Sequence, residues 1–163
     1  MLQQAPQPSY SRKRRLSQDE LATWRAFIRA HANVTRLLER ELEEAGGLTL
    51  SELDVLITLE SAAGHALRLT DLAERVLLTK SGITRLVDRL EEMGLVERRP
   101  CPADRRGLNA VLTPKGREAH RRTIGVHLRS VATAFSDHVA GSERGPLRVA
   151  LERISEHARG LSL

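Results

Sequence analysis

Apolar residues recur at steps of three and four over much of the chain, which is the spacing of one face of an α-helix. A first helix is predicted between Ser17 and the pair Gly46-Gly47. Its predicted buried face consists of Leu21, Trp24, Ile28, His31, Thr35, Leu38 and Leu42. Ser17 with Glu20, and Thr49 with Glu52, have the spacing of capping boxes. Two helices are therefore expected to begin directly after Ser17 and Thr49.

The middle of the chain has shorter elements. We predict an extended segment over 67–69, a brief helix over 71–76 capped by Thr70, and a tight turn at Leu77-Leu78. Thr79 can cap a further helix over 80–93, which Gly94 ends. Two short strands over 95–99 and 108–112 should follow, joined by a charged loop that contains Pro100, Pro102 and Gly107.

The last third returns to helical periodicity. Thr113-Pro114 is a cap followed by proline at the first helical position. The apolar stripe of this helix is Ile124, Leu128, Val131, Phe135 and Val139. Gly141 and Gly145 should interrupt the helix, and Pro146 should start a final one. The stripe of that final helix is Leu147, Leu151, Ile154, Ala158 and Leu161.

A short helix, a tight turn, a longer helix and a β-hairpin in this order form a winged helix-turn-helix. The predicted fold is mainly α with a small β-hairpin wing, flanked by N- and C-terminal helices. In such modules the second helix enters the major groove of DNA. Here that helix has one apolar side and one side with short hydroxyls and an arginine, Ser81, Thr84 and Arg85. An ordinary amphipathic surface helix would show the same two sides.

The predicted hairpin favours the DNA interpretation. Its tip is Asp104-Arg105-Arg106-Gly107, where arginines can enter a narrow minor groove and Asp104 could pair with one of them. Arg98 and Arg99 lead into the same loop, and basic residues outnumber acidic ones between residues 75 and 109.

Composition bounds the class of protein. The chain has 163 residues, 29% of them charged and 2% aromatic, with a net charge of +5 that favours nucleic acid or an anionic membrane surface. The single cysteine, Cys101, excludes an internal disulfide, and no apolar run is long enough to span a bilayer. We therefore expect a cytoplasmic protein. The familiar catalytic and phosphate-binding motifs are absent, so we expect no enzyme and no cofactor, with an uncommon small enzyme as a remaining rival.

The stretch from Leu69 to Gly116 resembles the DNA-binding core of the MarR family of bacterial transcriptional regulators. The family's recognition-helix pattern falls on Ser81, Thr84 and Arg85, and its next run falls on Arg89-Leu90-Glu91 and Gly94-Leu95-Val96. Its wing signature falls on Asp104, Arg106, Leu112, Thr113 and Gly116. The resemblance extends over about residues 17 to 160. The turn Leu77-Leu78 departs from the pattern because it has no glycine.

The resemblance implies a homodimeric, ligand-responsive repressor that binds a pseudo-palindromic operator in double-stranded DNA. Residues 1–16 would be a flexible basic tail, and residues 17–163 a single domain. Within that domain, 17–47 and 114–163 would supply the dimerisation helices and 49–113 the winged DNA-binding lobe. The apolar stripes support a dimer independently, because they exceed what one small winged module could cover.

Specific roles follow for side chains of this chain. Ser81, Thr84 and Arg85 are expected in the major groove, Lys80 and Arg89 at phosphates, and Arg105 and Arg106 at the minor groove. The whole expected DNA-binding set is Thr79, Lys80, Ser81, Thr84, Arg85, Arg89, Asp104, Arg105 and Arg106. The tail cluster Arg12–Arg15 is either a solvated charge run or an arm that touches phosphates.

A small anionic or phenolic effector is the further partner that the resemblance implies. Trp24, Arg25, Phe27 and His31 could line its pocket; the alternative is that the aromatics are core anchors and His31 a buried histidine. Cys101 offers a thiol-redox alternative, with Arg98 and Arg99 able to lower its pKa. The six histidines are scattered, and no metal site is expected. Rival functions are a sequence-indifferent architectural DNA binder and a winged-helix protein–protein adaptor.

Overall fold

The computed structural model describes residues 15–76, 78–101 and 104–161, without the side chains of Lys80, Asp104, Arg105 and Arg106. The predicted tail up to Arg14 and the turn residue Leu77 lie outside the described residues. The helices are α1 (Gln18–Gly46), α2 (Leu50–Glu60), α3 (Leu69–Arg75), α4 (Lys80–Glu92), α5 (Pro114–Ala134) and α6 (Gly141–Leu161). The strands are β1 (Ala66–Arg68), β2 (Val96–Cys101) and β3 (Asp104–Leu112). The predicted fold class, mainly helical with a small wing, is confirmed.

The described residues form two compact units, which divide within α1 between Asn33 and Val34. The first unit contains the N-terminal part of α1. It begins with the predicted capping box, in which the Glu20 backbone N–H donates to Ser17 Oγ at 3.1 Å and the Ser17 N–H donates to Glu20 Oε2 at 2.8 Å. Trp24 is 56% exposed, and His31 is also exposed. The burial predicted for this stretch is therefore wrong for the single chain.

The second unit, from Val34 onward, contains the hydrophobic core. Leu48, on the loop before α2, joins residues of α2, α3, α4, the sheet and α5. The fully buried members include Leu56, Leu72, Val87 and Leu90. The predicted capping box of α2 is present, since Thr49 Oγ1 accepts from the Glu52 N–H at 3.2 Å and Glu52 Oε2 accepts from the Thr49 N–H at 2.7 Å. The core thus fixes α4 against the sheet and α2.

The sheet is antiparallel in the order β1-β3-β2, so β2 is an edge strand. β2 and β3 are longer than predicted: Pro100 in β2 pairs with Leu108, and Cys101 pairs with Asp104 after a register irregularity. The predicted loop over 100–107 is therefore too long, because an edge strand tolerates a proline. Gly107 likewise lies within β3. Pro102 lies outside the described residues.

Two other helix starts differ from the prediction. Thr70 is not a cap: α3 begins at Leu69, and the Thr70 hydroxyl donates to Asp71 Oδ1 at 3.0 Å. α6 begins at Gly141 and contains Pro146, so Pro146 does not start it. The Ala140 N–H donates to the Glu143 carboxylate at 2.9 Å, which starts the helix ahead of the proline. Pro146 lies beyond the first turn of α6, where a proline removes one backbone hydrogen bond and its ring approaches the carbonyl four residues earlier.

The junction between α4 and α5 is tightly built. Gly94, at φ +71°, ends α4, and Thr113 Oγ1 donates to the Gly94 carbonyl at 2.8 Å. Thr113 also accepts from the Gly116 N–H at 3.0 Å, as the predicted cap of α5 requires. Lys115 Nζ donates to the Met93 carbonyl at 2.7 Å. These contacts fix the end of α4 to the start of α5.

Candidate nucleic-acid interface

The two predicted faces of α4 are confirmed. Ile83, Val87 and Leu90 are buried in the core and Leu86 is half-buried. On the other side, the side chains predicted to face the major groove are exposed: Ser81, Thr84 and Arg85. A helix that packs on one side and carries hydroxyls and an arginine on the other can contact the base edges of a duplex without disturbing the core.

The start of α4 is held by Thr79, as predicted. Thr79 Oγ1 accepts from the Gly82 N–H at 3.1 Å and lies 3.2 Å from Ser81 Oγ. The Thr79 hydroxyl therefore caps α4 and orders the backbone at its N-terminus. A helix N-terminus of this kind can bind an anion through its backbone N–H groups. The Lys80 side chain lies outside the described part of the chain.

Arg89 has a partner that the sequence did not reveal. Its Nε lies 2.6 Å from Oε1 of Glu52, and the Glu52 side chain is only 1% exposed. Arg89 itself is 57% exposed, so one edge of the guanidinium pairs with α2 while the rest faces solvent. Arg89, which is predicted to contact phosphate, thus forms an ion pair between α4 and α2.

Arg98, in the wing strand β2, lies against α4. Its Nη2 donates to Asp88 Oδ1 at 2.6 Å and to the Thr84 carbonyl at 3.2 Å, while Nη1 pairs with Glu91. Its backbone N–H also donates to Glu91 Oε1, at 2.9 Å. Partial burial lowers the pKa of Arg98, but the hydrogen bonds and charges of Asp88 and Glu91 outweigh it and raise that pKa. The guanidinium stays charged and joins wing and helix.

Arg99 pairs with Glu97 on the same strand. Arg98 and Arg99, which lead into the hairpin loop, are therefore both paired with carboxylates. The partners of Arg98 lie seven and ten residues away on another element, where no local pattern indicates them. The structure describes the backbone pairing of Asp104 but not the side chains of Asp104, Arg105 and Arg106.

Cys101 ends β2 with only 8% of its surface exposed. The guanidinium beside its thiol belongs to Arg68 of β1, whose Nε donates to Sγ at 3.4 Å. Arg98 and Arg99, expected to act on this thiol, are occupied by carboxylates instead. Thiol sensing through Cys101 stays a prediction.

The candidate effector residues lie together on the first unit. The ring centroids of Trp24 and Phe27 are 5.9 Å apart, and those of Phe27 and His31 are 6.4 Å apart. All three, and Arg25, are exposed in the single chain. None of these side chains belongs to the hydrophobic core of the single chain. Within the described ranges, no helix is long and apolar enough to cross a membrane.

Comparison with known proteins identifies the family. The model of the MarR family matches residues 46–107. The chain is 36% identical to AbsC of Streptomyces coelicolor, a MarR family transcriptional regulator, with a TM-score of 0.87 over 91% of this chain and 99% of that one. It is 32% identical to Sco3205 of the same organism, a MarR family regulator solved in complex with DNA, with a TM-score of 0.86 over 88% and 91% of the two chains.

A third relative is known by a more specific role. The transcriptional repressor MprA of Escherichia coli K12 is 35% identical over 92 residues, which cover 55% of this chain and 52% of MprA. Together with the winged fold, these likenesses extend well beyond one short motif. The chain belongs to the MarR family and is a transcriptional regulator.

Proposed function

We propose that this regulator binds duplex DNA through α4 and the wing. The observation that carries the proposal is the exposed face of α4, where Ser81, Thr84 and Arg85 project beside an ordered helix N-terminus. The relative Sco3205 was solved in complex with DNA, which supports the same use here. Arg85 would recognise a base edge or position the helix, Lys80 and the free edge of Arg89 would contact phosphates, and Arg105 and Arg106 would reach the minor groove.

Duplex selection from random sequences tests this proposal. A specific regulator should enrich a pseudo-palindromic sequence and bind it far more tightly than unrelated DNA at the same salt concentration. Equal protection of every fragment would instead indicate an architectural DNA binder. Failure to retain any duplex at low salt would favour the protein–protein adaptor.

The proposed active form is a homodimer built from 17–47 and 114–163, with 49–113 as the DNA-binding lobe. None of the described residues of α6 is buried, and Ile154 and Leu161 are 57% and 75% exposed. Phe135, Val139, Leu147 and Leu151 line an apolar cavity of about 370 Å³ together with Arg144, Arg148 and Glu152. Exposed apolar surface of this kind is typical of an interface between chains. A monomeric mass at low micromolar concentration in sedimentation would contradict the dimer.

We also propose that the protein represses transcription and that a small anionic or phenolic effector releases it from DNA. The name of the relative MprA supports repression. The exposed rings of Trp24, Phe27 and His31 offer an aromatic surface that such a ligand would share with a partner chain. Trp24 is the only tryptophan, so its emission reports on this surface directly. A screen of small aromatic acids should find compounds that both quench Trp24 and release DNA.

A further inference from the structure

We infer that Arg98 is a positioning residue, which locks the wing strand β2 to the outward face of α4 so that wing and helix meet DNA as one body. The inference rests on the proposed function of DNA binding. Arg98 belongs to none of the groups expected to contact DNA, and it acts through the elements that carry them.

The contacts show how one side chain joins the two elements. From β2, the guanidinium reaches three acceptors on α4: the carboxylates of Asp88 and Glu91 and the carbonyl of Thr84. The Arg98 backbone N–H adds a fourth contact, to Glu91. Only 18% of the Arg98 side chain is exposed, against 54% for Asp88 and 39% for Glu91, so the link is partly shielded from water and salt.

The position of this link in the wing matters. Arg98 pairs with Ala110 of β3, and the regular register of β2 ends just beyond it, between Pro100 and Cys101. Arg98 therefore attaches the wing at its base, before the part of the hairpin that leads to Arg105 and Arg106. Without this attachment, the tip would have to be ordered each time DNA is bound, and that ordering would weaken binding.

The ion pair of Arg98 with Asp88 also offsets an unfavourable negative charge on the exposed face of α4. Asp88 lies on the exposed side of α4 with Thr84 and Arg85, where a bare carboxylate would repel phosphates. Arg98 Nη2, 2.6 Å away, offsets that charge without itself leaving the wing. A lysine could pair with one carboxylate, but it could not contact two carboxylates and a carbonyl in fixed directions.

A double-mutant cycle on the full chain tests the inference. The dissociation constant for the selected duplex is measured by fluorescence anisotropy for wild type, Arg98→Ala, Arg106→Ala and the double variant. Arg98→Ala should weaken binding about tenfold, and Arg106→Ala should then cost little further, because an unanchored tip no longer contributes its contact. Hydroxyl-radical footprints should lose the protection due to the wing while the protection due to α4 remains.

Three further variants separate positioning from charge and from folding. Arg98→Lys keeps the charge and should bind nearly as weakly as Arg98→Ala. Arg99→Ala, the neighbour that pairs within its own strand, should bind like wild type. Glu91→Gln removes the charge of one partner of Arg98 and should weaken DNA binding about threefold. This smaller change tests the same link if Arg98→Ala does not fold.

The outcomes are distinct. Additive losses in the cycle, or full affinity of Arg98→Lys, would overturn the positioning role while leaving DNA binding intact. A wild-type chain that retains no duplex at low salt would overturn the proposed function, and the inference would fall with it.

Discussion

The Nε of Arg89 lies 2.6 Å from Oε1 of Glu52, a carboxylate that is 1% exposed and also closes the capping box of α2. One residue of the candidate DNA-binding helix therefore balances a buried charge in the neighbouring helix. Removal of Arg89 should therefore affect folding as well as binding.

Arg89→Ala should lower the free energy of unfolding by about 1–2 kcal/mol. Removing one partner of a fully buried ion pair costs about 3–5 kcal/mol, and water reaching the exposed Arg89 side of this pair reduces the loss. Chemical denaturation measures it. Arg85→Ala, one turn earlier and exposed, is the matched control and should leave stability unchanged. If Arg89→Ala unfolds at the same denaturant concentration as wild type, the ion pair does not stabilise the fold.

Gly116 and Gly125 give a matched pair of substitutions in α5. A Cβ at Gly116 would fall on the Leu95 carbonyl oxygen and within 2.7 Å of Leu112 Cδ1, whereas a Cβ at Gly125 would meet only Arg129 Nη1 at 3.6 Å. Gly116→Ala should destabilise the protein by about 1–3 kcal/mol because the junction of α4, β3 and α5 must move. Gly125→Ala should stabilise it by about 0.5–1 kcal/mol. Equal melting temperatures for the two variants would contradict the close approach at Gly116.

Ile154→Arg should dissociate the proposed dimer. Ile154 is 57% exposed and belongs to the apolar stripe of α6, so a charge there would be buried in the interface without a partner. Sedimentation at low micromolar concentration should give a monomeric or aggregated species. Glu156→Arg, two residues further along and facing another side of the helix, should remain dimeric. A dimeric Ile154→Arg protein would exclude this stripe from the interface.

Arg106→Ala tests the wing by its salt dependence. The variant should weaken operator binding by about 1–3 kcal/mol, and the slope of log affinity against log salt should fall by roughly one if Arg106 neutralises one phosphate. Arg121→Ala, an exposed arginine on α5 that pairs with Glu118, controls for the loss of one positive charge. An unchanged slope for Arg106→Ala would exclude the phosphate contact.

Most local signals predicted the local structure, and the Thr70 cap is an exception. Both capping boxes, the Thr79 cap and the two faces of α4 depend on residues within a few positions of each other, and all are present. The predictions that Pro100 and Pro146 lie at element boundaries are wrong, because the sequence does not show that β2 is an edge strand or that α6 begins before its proline.

Contacts between distant elements were not predictable in the same way. The sequence indicates only that Arg98 is a basic residue leading into the wing loop. In the fold, Arg98 forms ion pairs with Asp88 and Glu91 of α4. Trp24 has the spacing of a buried position, yet it is exposed in the single chain. Hydrophobic periodicity identifies an apolar stripe but does not tell whether the same chain or another covers it.

The most direct test of DNA recognition by α4 is the affinity of Arg85→Ala for the selected duplex, compared with Arg121→Ala at one salt concentration. A good side-chain contact to a base is worth about 1–3 kcal/mol, so Arg85→Ala should bind roughly 5- to 150-fold more weakly and discriminate less at one base position. Arg121→Ala should bind as wild type does. Equal affinities and equal base preferences for the two variants would contradict recognition through this face of α4.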